Sequence, residues 1–162
     1  METKIRLKNK ENVIKIKIED EDGNDTGNYL EFDLEDIELP LRAQQVQEEH
    51  KKNLNYLKMS FALIDKKQDK SGKKMLSSNE EEKLKVIKTF YEKEMSILDL
   101  VLGEGGTLKL LNGRRPYYEM FDDILGYLEP ITPIFKEAQE KLEKSLIEKY
   151  SKKSEDTNVI EG

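Results

Sequence analysis

The N-terminal third of the chain alternates between apolar and polar positions. Isoleucine and leucine recur at every second residue: Ile5, Leu7, Ile14, Ile16 and Ile18. A polar connection at Asp20–Gly27 follows, and the alternation resumes over Tyr29–Leu34. Period-two alternation is typical of a strand with one buried face. The pattern predicts a hairpin of two strands, or of three if the segment around Ile5 joins it, and this hairpin should pack on a helix.

Beyond the hairpin, apolar residues recur at spacings of three and four, the period of an amphipathic helix. The pattern predicts helices over about 40–65, 79–102, 116–128 and 133–150. Ser78 and Glu81 have the spacing of a capping box for the second helix, and Gly103, Gly105 and Gly106 should end it. Before the last helix, Thr132 and Pro133 match the N-cap and first helical positions.

The predicted fold is mainly α with a small N-terminal β-hairpin, an α+β class. Its predicted parts are a hairpin region at 1–37, a helical domain at 38–150 and a flexible C-terminal tail at 151–162. Leu98, Leu102 and Phe121 are expected to pack centrally. The lone histidine, His50, lies in the apolar stripe of the first long helix and is expected to be a core or boundary residue.

The amino-acid composition narrows the range of possible functions. Of the 162 residues, 38% are charged and 36% apolar, and the net charge is −6. So few apolar residues make a thin core, which leaves helix faces for a partner. The acidic balance argues against nucleic-acid binding. The absence of cysteine excludes disulfides and thiolate sites, and one histidine leaves few acid–base schemes. We therefore expect a cytoplasmic binding protein with no cofactor, no metal, no membrane segment and no catalytic activity.

Three sequence patterns could carry chemistry, and each has a structural alternative. Asp20, Asp22, Asn24 and Glu31 occupy positions 1, 3, 5 and 12 of a calcium loop, but Asp25 stands where that loop needs glycine, which favours an acidic hairpin turn. The glycines at 103–106 follow a helix instead of opening one, so they favour helix termination over phosphate binding. The acidic residues Glu119, Asp122 and Asp123 favour a solvated helix face over paired catalytic carboxylates.

A basic and aromatic cluster precedes the third predicted helix. Its members are Arg114, Arg115, Tyr117, Tyr118 and Phe121. Arginine and tyrosine are enriched in binding hot spots, and two cations just before a helix start oppose the helix dipole. The alternative is an ordinary surface turn with one tyrosine in the core. We interpret these five residues as a candidate protein-binding site.

The order of elements resembles a known family. An acidic "FDLEDIELP" stretch leads into a long helix, and a second helix runs into "VLGEGGTLKLLNGRRP" and the short amphipathic "YYEMFDDILGYL". This arrangement is similar to that of the tail assembly chaperones of long-tailed (siphovirus-type) phages of Gram-positive bacteria. The resemblance covers roughly residues 28–135 and is strongest over 90–128. The linker at 66–77 and the helix at 133–150 are longer than that family's pattern.

The resemblance implies a non-catalytic function. Such chaperones bind and solubilise the tape-measure protein, help recruit tail-tube subunits and act in the cytoplasm of the infected host, and they are absent from the mature virion. Many are also made as a longer frameshifted product. The resemblance therefore implies the tape-measure and tail-tube proteins as partners, and self-association is expected through apolar helix faces. The alternatives are a structural tail or head–tail connector subunit retained in the virion, and a small enzyme or regulator.

Overall fold

The computed structural model describes the backbone of residues 1–161 and the side chains of residues 1–151. It confirms an α+β fold in which a two-stranded hairpin precedes the helices. In chain order the elements are β1 (Val13–Glu19), β2 (Asp25–Asp33), α1 (Leu39–Asp65), α2 (Ser78–Leu102), α3 (Gly106–Leu111), α4 (Met120–Leu128), a 3₁₀ turn (Glu129–Ile131) and α5 (Thr132–Glu161). Within the described residues, no helix combines the length and the apolar character needed to cross a membrane.

The hairpin pairs β1 and β2 antiparallel. Ile14 lies opposite Phe32 and Ile16 opposite Leu30, so these side chains share the face that packs on the helices. The third strand predicted around Ile5 and Leu7 is wrong, because residues 1–12 contain no strand and the two side chains are 86% and 84% exposed. Folding this cationic segment back onto β1 would oppose like charges, which destabilises a sheet.

Helices α1 and α2 form an antiparallel pair. The Arg42 side chain donates to Leu100 O (2.8 Å) at one end, and Asn79 Nδ2 donates to Ile64 O (3.2 Å) at the other. The cap of α2 is one residue earlier than predicted, because Ser77 Oγ accepts from Glu80 N. Ser78 instead bonds to the linker, donating to Asp69 and accepting from Lys70 N.

The glycines after α2 end that helix, as the sequence predicts. Gly103 is the C-cap, with φ of +86°, a backbone conformation that glycine adopts without strain. The apolar piece at 108–111 is part of a short helix, α3, which the sequence pattern did not predict. Gly106 lets this helix approach α2, since an added Cβ would lie 2.5 Å from Leu102 Cβ. Asn112 ends α3 in the left-handed conformation.

The last two helices differ from prediction at their boundaries. Helix α4 begins at Met120, four residues after the predicted start at 116, because the chain first makes a turn that the bond from Met120 N to Tyr117 O closes. Thr132 is not an extended N-cap. Its φ and ψ are −52° and −42°, and the chain runs through the 3₁₀ turn directly into α5. Helix α5 continues to Glu161, past the predicted end at 150. Its backbone therefore overlaps the tail predicted at 151–162. The side chains after residue 151, and the whole of residue 162, lie outside the described part of the structure.

The core lies between the hairpin, the first residue of α1, and helices α2, α3 and α4. Its buried apolar residues are Leu30, Phe32, Leu39, Leu98, Leu102, Leu111, Met120 and Ile124. The predicted central positions of Leu98 and Leu102 are confirmed, with 1% and 5% exposure. Phe121 is half-buried and packs against this core from its edge. The core therefore occupies one end of the α1–α2 pair, and α5 leaves from that same end.

Candidate functional site

An apolar groove lies between α5 and the body of the protein. Its volume is about 590 Å³. The residues that line it come from the β2–α1 connection and from all four longer helices: Leu34, Asp36, Ile37, Leu39, Pro40, Ala43, Val46, Gln47, Leu98, Val101, Leu125, Leu128, Thr132, Phe135, Lys136, Gln139, Leu142, Glu143 and Leu146. We call this feature the apolar groove.

The floor of the apolar groove is built by rows of small and branched apolar residues. Helix α1 contributes Ala43 and Val46, one turn apart, and α4 contributes Leu125 and Leu128 at the same spacing. Leu98, from α2, closes the floor beneath them and belongs to the buried core. The floor is therefore continuous with the core, which holds its shape.

Helix α5 forms one wall of the groove. It is anchored near its start, where the Phe135 ring meets the Phe32 ring edge-to-face with 5.2 Å between centroids. Leu142 is half-buried, and further along the helix Leu146 is 42% exposed although it faces the groove. Beyond Leu142 the described side chains of α5 are exposed. The wall is therefore fixed at one end and open to solvent at the other.

The rim of the apolar groove is polar and sparsely charged. Asp36, Lys136 and Glu143 are its charged members. Asp36 forms a salt bridge with Arg42, whose hydrogen bond is the main reason that the pKa of the Asp36 carboxyl lies below its usual value. This end of the rim is thereby held in place, while Lys136 and Glu143 on α5 present one charge of each sign.

A buried polar cluster joins α1, α2 and α4 one turn beyond the groove. His50 Nδ1 lies 2.9 Å from both carboxylate oxygens of Glu94, which is only 1% exposed. Asn53 Nδ2 donates to Glu94 Oε1 (2.8 Å) and to Phe90 O (3.0 Å). The Phe121 ring stacks on the His50 ring at 3.8 Å between centroids. The cluster fixes α4 against the α1–α2 pair and so fixes the groove floor.

The five residues of the predicted binding cluster divide into three environments. The Arg114 guanidinium lies 3.7 Å from the centre of the Tyr117 ring, whose hydroxyl donates to Asp123 Oδ2 at 2.7 Å. Desolvation and this bond raise the pKa of Tyr117 to about 12. Arg115 and Tyr118 are exposed, Tyr118 by 92%. Phe121 faces the interior. Only Arg114 and Tyr117 are thus brought together, and their role in binding stays a prediction.

The acidic turn has the geometry of a hairpin connection. Asp20 Oδ1 accepts from Asp22 N (3.0 Å) and Asn24 N (2.8 Å), and the bond from Asn24 is the main reason that the pKa of Asp20 lies below its usual value. Gly23 makes the bend with φ of +82°. Glu31 lies on β2, away from this turn. Among the described residues, no three histidine, aspartate or glutamate side chains are grouped so that they could hold a metal ion.

Asp99 organises the glycine turn. Its carboxylate accepts hydrogen bonds from Gly105 N (3.2 Å), Thr107 N (2.9 Å) and Thr107 Oγ1 (2.7 Å). These donors belong to the start of α3, so this carboxylate takes the place of the phosphate that a glycine-rich loop could otherwise hold. The aspartate was not singled out in the sequence, although its position one turn before a glycine turn is a usable signal.

The apolar groove was also missed as a site in the sequence. Periodicity shows which face of each helix is apolar, but it does not show which of those faces remain uncovered after folding. The signal available was the recurrence of Phe135, Leu142 and Leu146 along a helix that is rich in charged residues. No family model, curated protein or solved structure matches the chain.

Proposed function

We propose that the protein is a tail assembly chaperone of a long-tailed phage, which binds and solubilises the tape-measure protein in the cytoplasm of the infected bacterium. The apolar groove is the observation that carries this proposal. It offers an open apolar floor with few charges at its rim, a surface that suits one face of an amphipathic helix. The resemblance over residues 28–135 supplies the identity of the client, a long and helix-rich protein.

The dimensions of the groove suit a helix of several turns. The wall runs along α5 from Thr132 to Leu146, a length of about 21 Å at the rise of an α-helix. Apolar residues on the floor and the wall would cover the client stripe from two sides, and the charged face of the client would stay in water. Covering the stripe removes the surface through which client chains would aggregate.

The proposal is for binding without catalysis. Glu94 is the most deeply buried carboxylate near the groove, and both of its oxygens are engaged by His50 or Asn53. Such a cluster stabilises the packing of three helices. Recruitment of tail-tube subunits and release before the virion is complete are further parts of the proposal, and the exposed Arg115 and Tyr118 offer a separate surface for the tube subunit.

Co-expression with the tape-measure protein of the same phage tests the proposal. We expect the client to be insoluble alone and to be recovered as a soluble complex with the chaperone. Ile37→Glu should abolish this rescue, because Ile37 lines the groove and is 71% exposed, so the charge can be tolerated by the free protein. Leu41→Glu is the matched control, since Leu41 is 66% exposed and does not line the groove.

Three results would contradict the proposal. If the client stays insoluble with the unaltered protein, or if Ile37→Glu and Leu41→Glu rescue it equally, the apolar groove is not the client site. If the protein is found in purified virions, it is a structural tail or connector subunit instead of an assembly factor.

A further inference from the structure

The first ten residues have the alternating sequence pattern of a strand but form no strand in the single chain. Between Met1 and Lys10, apolar and cationic residues alternate: Lys4, Ile5, Arg6, Leu7 and Lys8. Ile5 and Leu7 are 86% and 84% exposed, and within the described residues no backbone group of the segment is hydrogen-bonded. The alternation would place the cations on one face of a strand and the two apolar residues on the other. We call this the N-terminal segment.

Strand β2 has an edge that faces away from β1. Leu34 N donates to Asn12 O, and the same register pairs Ile14 with Phe32 and Ile16 with Leu30. Hydrogen-bonded pairs alternate along an antiparallel ladder, so the backbone groups of Tyr29, Glu31 and Asp33 point outward. Lys109 Nζ reaches Tyr29 O from that side at 3.3 Å, while the backbone groups of Glu31 have no partner among the described residues.

The two edges of the hairpin differ in charge. Next to the edge of β1, the solvent face carries Lys15 and Lys17, which would repel the cations of an added N-terminal segment. Next to the edge of β2, the same face carries Glu31 and Asp33. Of the two edges, that of β2 therefore carries the acidic side chains that would attract the cations of the segment, and Lys109 reaches this edge only at Tyr29 O.

We propose that the N-terminal segment of one copy adds as a third strand to the free edge of β2 in a second copy. Placing Arg6 and Lys8 beside Glu31 and Asp33 puts Ile5 and Leu7 on the opposite, helix-covered face. Neighbouring side chains of paired strands share a face, so one register satisfies both requirements. This association is independent of the apolar groove and goes beyond the proposed function.

A cavity is available for the two apolar side chains. It has a volume of about 430 Å³ and opens beside the end of β2, between the hairpin and the α1–α2 pair. Apolar and charged side chains both line it: the apolar ones are Val13, Phe32, Leu39, Leu100 and Val101, and the charged ones are Lys10, Glu31, Asp33, Asp36 and Arg42. Filling it with Ile5 and Leu7 would remove exposed apolar surface from both copies.

We assign the segment to a second copy because the segment of the same chain does not use this edge. Asn12 O accepts a hydrogen bond from Leu34 N on the β1 side of β2. Lys10 lines the cavity, yet Ile5 and Leu7 of the same chain are 86% and 84% exposed. The segment of a second copy approaches from outside and is not tethered at Asn12 of the first.

The test measures molar mass against concentration by sedimentation equilibrium. The full chain should associate, and Arg6→Glu with Lys8→Glu should weaken association by about tenfold or more, since two attractive pairs become repulsive. Lys73→Glu with Lys74→Glu is the matched control, because it changes net charge equally at exposed linker positions. The N-terminal segment makes no contact that the fold needs, so melting temperatures should agree.

Mixing two variants that cannot self-associate distinguishes two cases. The N-terminal segment either binds the β2 edge of another copy or folds back onto the edge of its own chain. Glu31→Lys leaves the N-terminal segment unchanged but puts a repulsive charge at the β2 edge. Arg6→Glu with Lys8→Glu leaves the β2 edge unchanged but makes the segment repulsive. Each variant alone should be monomeric, and their mixture should form a one-to-one complex. The proposal is overturned if the full chain is monomeric throughout, if the segment variant associates like its control, or if the mixture stays monomeric.

Discussion

The ring of His50 lies parallel to the ring of Phe121, with 3.8 Å between their centroids and 7° between their planes. The Glu94 carboxylate fixes the position of the His50 ring through its hydrogen bond with His50 Nδ1. An aromatic residue of α4 is thus positioned by a polar pair that joins α1 to α2. Because α4 supplies Leu125 and Leu128 to the apolar groove, the polar cluster sets the geometry of the proposed client site.

Removing the Glu94 carboxylate should destabilise the folded protein. Glu94→Ala leaves His50 and Asn53 without their shared acceptor in a buried place, which should lower the free energy of unfolding by about 2–4 kcal/mol. Urea denaturation measures the loss. Glu92→Ala, at an exposed position of the same helix, should change stability by less than about 0.5 kcal/mol. Equal effects of the two substitutions would show that the cluster does not stabilise the helix packing.

Two glycines should respond to alanine with opposite signs. In Gly106→Ala the new Cβ would lie 2.5 Å from Leu102 Cβ, and the resulting strain should lower the free energy of unfolding by about 1–3 kcal/mol. In Gly126→Ala nothing lies within 4 Å of the added Cβ, and helix α4 should gain about 0.5–1 kcal/mol. Thermal unfolding compares them. A stabilising Gly106→Ala would refute the close approach of α3 to α2.

The phenol of Tyr117 should lose its proton at a higher pH than an ordinary tyrosine does. Its pKa is raised to about 12 from 10.0, first by desolvation and then by the hydrogen bond to Asp123. The folded state therefore holds the phenol proton more tightly than the unfolded state does. This stabilisation is complete below pH 10 and is lost as the pH rises through about 12.

Absorbance of tyrosinate against pH measures this titration. Tyr117→Phe should remove a step near pH 12 from the curve. Asp123→Asn weakens the acceptor of the phenol bond and should move the step to lower pH. If Tyr117→Phe leaves the curve near pH 12 unchanged, the phenol is not held as the structure describes.

Much of the fold was predictable because it depends on local patterns. The period-two run around Ile16 and the three-and-four spacing through α1 and α2 determine the element types. Gly103 ends α2 for a local reason as well, since its φ is positive. The boundaries that were wrong depend on distant partners. Ser77 became the cap because the linker at Asp69 holds Ser78, a contact that no local pattern encodes.

The candidate site was predictable only in part. Phe121 was singled out as an apolar member of an aromatic cluster, but its partner His50 lies 71 positions away in sequence. Which residues of α5 face the groove depends on the direction in which the helix leaves the core, and the 3₁₀ turn at Glu129–Ile131 sets that direction. Neither relationship is contained in the spacing of residues along one helix.

The most direct test of the central claim is calorimetric binding of the purified protein to a helical fragment of the tape-measure protein. Leu146→Glu should weaken binding by about tenfold or more, since a buried apolar contact is replaced by a charge. Ile147→Glu is its control, because Ile147 is 62% exposed and does not line the groove. Loss of affinity in Leu146→Glu alone is the predicted result. No measurable binding by the unaltered protein, or equal affinities of the two variants, would contradict the account.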